Sequence, residues 1–78
     1  MKIEKGTKIY IDAFLCGIVK AVVQKVDGRD ALLKITSKNN KYFKRNEIVE
    51  KRIVDLIPRN CLHIRNGQYR VKPFVWEY

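Results

Sequence analysis

Residues 46–58 read NEIVEKRIVDLIP, and the fold class turns on whether they form helix or strand. As a helix, Asn46 supplies an N-cap, and Glu47 and Glu50 sit near the positive end of the dipole. Val49, Ile53, Leu56 and Ile57 then share a stripe that Pro58 ends. As a strand, Val49, Ile53 and Ile57 fall in one phase with charged Lys51 and Asp55. Ile48 and Val54 fit neither scheme cleanly. The segments on either side are strand-like, so a short helical turn at 46–49 leading into a strand is expected, within an all-β chain.

Upstream, TKIYID at 7–12 alternates, with Ile9 and Ile11 on one face and Lys8, Tyr10 and Asp12 on the other. AFLCG at 13–17 is a short apolar connector. IVKAVVQKV at 18–26 is rich in β-branched residues, which favour a pleated surface. Its phase is broken: Val19, Ala21 and Val23 mark one face, Ile18, Val22 and Val26 the other. A bulge or strong curvature reconciles them. Asp27-Gly28 signals a hairpin turn, lengthened by Arg29 and Asp30. Ala31, Leu33 and Ile35 then share a face, residues 37–40 turn again, and KYFKR at 41–45 is expected as the next strand.

Downstream, CLHIR, Asn66-Gly67 and QYRVKPFVW compose a β-hairpin at about 61–76. Asn-Gly suits a type I′ turn, which needs positive φ at both central positions. Leu62 and Ile64 face one way, opposite Tyr69 and Val71. Pro73 cannot donate to a ladder, so the last strand is an edge or ends there.

The order of elements resembles a family of folds. A Gly-led first strand (KGTKIYI), a Gly before a β-branched strand (CGIVKAVV), a Gly turn, and an aromatic strand closing on KYFKRNEI follow one another. This is similar to the Src-homology-3-like small barrels, including the Tudor-like and KOW-type branches. The resemblance covers about residues 5–57 and implies a barrel in which Phe43 and Ile48 are core positions. The hairpin at 61–76 is an addition to it. The expectation is one small all-β barrel domain spanning 1–78. For function the resemblance offers only a range, since such barrels bind RNA, DNA, peptides and modified tails.

Charge narrows that range. Among 78 residues, 17 Lys and Arg face eight Asp and Glu, for a net charge of +9. Such an excess attracts polyanions, because neutralising phosphates releases condensed counterions. Cys16 and Cys61 lie outside any CxxC or CxxH pattern, and MKIEKGTKIY has no secretory apolar run. No stretch approaches a membrane span. A cytoplasmic protein with two reduced, buried thiols is therefore expected, without cofactor or metal. Ser37 and His63, the one serine and the one histidine, have no partner by spacing that would activate a nucleophile. A non-enzymatic role follows.

Two windows lack acids. Ala31 to Asn46 carries Lys34, Lys38, Lys41, Lys44 and Arg45; Leu56 to Trp76 carries Arg59, Arg65, Arg70 and Lys72. If they lie on neighbouring strands they merge into one positive face. With Phe43 inward, Tyr42 points outward beside Lys44, where a ring can stack on a base. Tyr10 and Tyr69 are weaker candidates of the same kind, and Trp76 and Tyr78 can cap the core or dock on a partner. The expected nucleic-acid site is Lys34, Lys38, Lys41, Tyr42, Lys44, Arg45, Arg65, Arg70 and Lys72, with little sequence preference and with RNA and DNA both open. The alternative is a protein-interaction module, a small inhibitor or regulator docking on an acidic surface of a larger partner.

Overall fold

The computed structural model describes residues 1–12 and 17–77; the connector at 13–16, with Cys16, and Tyr78 lie outside the described residues. The chain is all-β. Its strands are β1 (Lys8–Asp12), β2 (Ile18–Asp27), β3 (Asp30–Ile35), β4 (Ile48–Arg52), β5 (Leu56–Pro58), β6 (Leu62–Arg65) and β7 (Gln68–Val71). The first five form one antiparallel sheet in the order β4-β3-β2-β1-β5, while β6 and β7 form a separate two-stranded sheet. Among the described residues no ladder joins the two outer strands, β4 and β5, to each other.

The alternation read from the sequence builds the inner face. Ile9 and Ile11 of β1 lie opposite Ala21 and Val19 of β2, and Ala21 and Val23 lie opposite Ile35 and Leu33 of β3. All of these are buried, together with Ile53, Leu56, Ile3 and Trp76. Burying an aliphatic chain of this size stabilises the fold by about 1.5–3 kcal/mol. The broken phase of β2 is a bulge. Val23 pairs with Leu33, but Lys25 pairs with Leu32, leaving Gln24 as the extra residue. One inserted residue reverses the alternation, so Val26 comes to lie opposite buried Ala31 and packs against the core.

Four expectations need correcting. The Asp27-Gly28 turn is tight, with only Gly28 and Arg29 between the paired Asp27 and Asp30. Positive φ falls on Gly28 and not on Arg29, which suits a turn with glycine at its first central position. Residues 41–45 are not a strand, and the partner of β3 is β4. Residues 46–49 are not a helical turn: Asn46 is left-handed (φ 69°) and β4 starts at Ile48. Ile48 is not core. It lies opposite Lys34 on the outer face and is 53% exposed, because the inward positions of β4 are those opposite Leu33 and Ala31, namely Val49 and Lys51.

Beyond β4, Ile53–Asp55 form a single 3-10 turn that drops Ile53 into the core, with its N–H donating to the Arg29 carbonyl at 2.9 Å. A second 3-10 turn, Arg59–Cys61, leads into the β6–β7 hairpin. Asn66 (φ 52°) and Gly67 (φ 75°) both take positive φ, as a type I′ turn requires. The ladder ends at Val71, before Pro73. The chain then returns to the body: Trp76 Nε1 donates to the Leu56 carbonyl at 2.9 Å, Phe74 packs edge-on to Trp76, and Glu77 pairs with the N-terminal segment. Trp76 thus caps the core. Cys61 is a buried free thiol.

Candidate nucleic-acid interface

The loop between β3 and β4 is built by asparagine. Asn40 Oδ1 accepts from the N–H groups of Tyr42 and Phe43, each at 2.8 Å, while Asn40 N–H donates to the Phe43 carbonyl. Asn39 Oδ1 accepts from Arg45 N–H at 2.7 Å. Lys44 N–H donates to Glu47 Oε1, and Glu47 N–H donates back to the Lys44 carbonyl. Such side-chain acceptors take backbone donors that would otherwise go to a ladder. The loop closes on the end of β3, where Asn46 N–H donates to the Ile35 carbonyl and Ile35 N–H to the Glu47 carbonyl.

This scaffold turns Phe43 toward the core and Tyr42 away from it. Tyr42 is 48% exposed, with Lys41 Nζ 5.8 Å from its ring centroid, within cation–π range. Lys51 Nζ sits 5.9 Å from the half-buried Phe43 ring. Tyr42 and Phe43 therefore do face opposite ways, through an asparagine-held turn instead of strand alternation. Lys38, Lys41, Lys44 and Arg45 are exposed on this loop, and Lys34 is half-buried on the outer face of β3.

The other expected residues lie elsewhere. Arg65, Arg70 and Lys72 are exposed on or just beyond the β6–β7 hairpin. The two basic windows are not on neighbouring strands, because among the described residues the hairpin shares no ladder with the five-stranded sheet. They meet at their roots. Arg59 Nη2, at the hairpin's foot, donates to Thr36 Oγ1 at the loop's start at 3.4 Å. The same guanidinium lies 5.5 Å from the Tyr10 ring centroid. Among the described residues, ion pairs join only the N-terminal amine to Glu77 and Lys2 to Glu4. The expected site cations carry no carboxylate partner there.

His63 was weighed for catalysis alone and Gln68 was not singled out, yet the hairpin register places His63 opposite Arg70 and Gln68 opposite Arg65. The signal was present, since a two-residue turn at 66–67 fixes every pair of the ladder. Together with Ile64, Asn66 and Lys72 these residues line an open groove of ≈ 680 Å³. Among the described residues no group of three or more His, Cys, Asp or Glu is placed to hold a metal ion, and no helix is long and apolar enough to cross a membrane. Comparison with protein-family models, curated proteins and solved structures gave no match.

Proposed function

We propose that this protein binds nucleic acid through phosphate contacts, without enzymatic chemistry and with little sequence preference, from a small Src-homology-3-like barrel. The barrel reading is supported by the sheet order β4-β3-β2-β1-β5 and the 3-10 turn between β4 and β5. The binding reading rests chiefly on the loop at 36–47. There, the side chains of Asn39, Asn40 and Glu47 fix the backbone that carries exposed Lys41, Lys44 and Arg45 beside a half-exposed tyrosine, and among the described residues none of these three cationic side chains is in an ion pair. Cations on a preformed turn contact phosphates with little ordering cost, and a ring between them stacks on a base of any identity.

A mobility-shift titration against mixed DNA and RNA oligonucleotides tests this. Binding should weaken with salt at a logarithmic slope of roughly 0.7–0.9 per neutralised phosphate. Reversing Lys41, Lys44 and Arg45 to Glu should abolish it with the fold intact. Tyr42→Ala should cost about 1–3 kcal/mol if a base stacks there. Indifference to both RNA and DNA at low salt ends the proposal.

A second reading is supported by the other side of the hairpin. Ile64 is 68% exposed, with Tyr69 and Val71 exposed on the same face. An apolar face rimmed by cations also suits a protein partner with an acidic surface. Retention by such a partner of a protein that ignores oligonucleotides would favour it. For either role the cytoplasm is the proposed location, supported by the free thiol of Cys61.

A further inference from the structure

The β6–β7 hairpin has chemically distinct faces. Its type I′ turn fixes the pairs Leu62–Val71, His63–Arg70, Ile64–Tyr69 and Arg65–Gln68. Directly paired residues share a face and successive pairs alternate, so one face carries Leu62, Ile64, Tyr69 and Val71, and the other His63, Arg65, Gln68 and Arg70. The second face and Lys72 line the open groove described above, together with Asn66 of the turn and Ile64. No acid occurs between Leu56 and Trp76. From His63 to Pro73 every residue is exposed, and the ladder is clamped at its foot where Lys72 N–H donates to the Cys61 carbonyl at 2.7 Å. The result is a solvent-bathed ribbon with one cationic side.

Its dimensions select a ligand. Two paired strands lie about 4.8 Å apart, and side chains bring such a ribbon to the roughly 12 Å width of the B-DNA major groove. The minor groove of B-DNA, at roughly 6 Å, is too narrow, and the major groove of A-form RNA is too deep and narrow for side chains to read.

We propose that the β6–β7 ribbon enters the major groove of double-stranded DNA with its basic face toward the bases. This rests on the nucleic-acid reading above and narrows its ligand to B-form duplex. Arg65 and Gln68, which flank the turn, are the groups that meet base edges. A guanidinium donates to guanine O6 and N7, and a carboxamide bonds adenine N6 and N7. Arg70, Lys72 and His63, nearer the foot, contact phosphates along the groove walls. With base contacts limited to the tip, sequence preference stays confined to about two base pairs, and phosphate contacts dominate affinity.

The test uses the full chain with a short mixed-sequence DNA duplex, the RNA duplex of the same sequence, and the DNA single strand. The DNA duplex should bind at least about tenfold more tightly than the RNA duplex. R65E/R70E should lower DNA affinity by about 100-fold or more and flatten the salt slope, whereas V71T, on the opposite face, should leave it unchanged. Dimethyl sulfate gives a readout independent of any variant: bound protein should protect guanine N7, in the major groove, and spare adenine N3, in the minor groove. Equal affinity for the RNA duplex, preference for the single strand, protection of adenine N3 alone, or an R65E/R70E protein that binds normally would each overturn the inference. If K41E/K44E/R45E loses binding while R65E/R70E keeps it, the ribbon assignment falls and the nucleic-acid reading stands. If no nucleic acid binds at all, both fall.

Discussion

β3 and β6 are short strands with the same alternating pattern, yet their apolar residues end in opposite surroundings. Ala31, Leu33 and Ile35 of β3 are sealed inside, whereas Leu62 of β6 is half-buried and Ile64 is exposed. The difference lies in what stands beside and beneath each strand. β3 has β2 and β4 as ladder neighbours, and the chain after β4 lays Ile53, Leu56 and Trp76 into the same core. β6 has β7 alone. Alternation decides which side chains share a face, and a second layer decides whether that face is dry. An isolated two-stranded hairpin is marginal in water, so this one depends on its turn and its foot, and it is free to present both faces to a ligand.

Trp76 lies on the segment that returns from the hairpin to the body, and removing it should have the largest effect. Its ring caps the core and its indole N–H satisfies the Leu56 carbonyl on β5. Trp76→Ala should destabilise the body by about 3–5 kcal/mol, the range for truncating a core aromatic, measured as a fall in the urea midpoint followed by circular dichroism. A shift below about 0.5 kcal/mol, the scale of ordinary surface changes, would mean that the C-terminal segment only rests on the sheet.

Gly67→Val should separate the regions. Valine resists φ of 75°, and strained backbone of this kind costs about 1–3 kcal/mol. Because the hairpin has its own ladder, the loss should fall on the hairpin. Amide exchange of β6 and β7 should accelerate while the protection of β2 and β3 holds. A matching loss in β2 and β3 would show that hairpin and body unfold as one unit.

Much of this contrast was legible in the chain. The inward residues of β1 and β3, the bulge in β2 and the type I′ turn follow from side-chain periodicity and turn chemistry, which are local. What escaped depends on long-range geometry or on polar side chains competing for the backbone. Asn39 and Asn40 take the amides of Arg45, Tyr42 and Phe43, so 41–45 becomes a loop although its composition suits a strand. The left-handed Asn46 then resets the phase, so the facing of Ile48 cannot be extrapolated from Phe43. For the site, the exposed Lys41, Tyr42, Lys44 and Arg45 were readable from local pattern. That Arg65 and Arg70 lie on a different sheet, with Lys72 just beyond it, was not, because sheet membership is a tertiary property. The resemblance to small barrels misled on Ile48 and on the aromatic strand at 41–45, which is a loop.

Asn40→Ala probes the loop's scaffold more gently. Two backbone amides lose their acceptor, at about 0.5–1.5 kcal/mol for each hydrogen bond, and partial exposure lets water replace some of that. A loss of about 1–2 kcal/mol is expected, with faster amide exchange at Tyr42 and Phe43. If exchange there is unchanged, the loop is held by Phe43 packing and the asparagine is incidental.

The smallest effect should come at Ile48. Its side chain lies on the outer face of β4, opposite Lys34, and more than half of it meets solvent. Ile48→Thr keeps the β-branch that suits a strand while removing apolar surface that is already wet. The stability change should stay within about 0.5 kcal/mol. The same substitution at Leu33, across β3 on the inner face, would leave a cavity and an unpartnered hydroxyl, and should cost several times more, on the order of 2–5 kcal/mol. The two variants measured side by side fix the phase of β4 against β3. If Ile48→Thr proved as damaging as Leu33→Thr, then either β4 would be shifted by one residue, bringing Ile48 inside, or another surface would cover the outer face of the sheet. Oligomeric state at matched concentration distinguishes these, since only the second makes the loss depend on a partner copy.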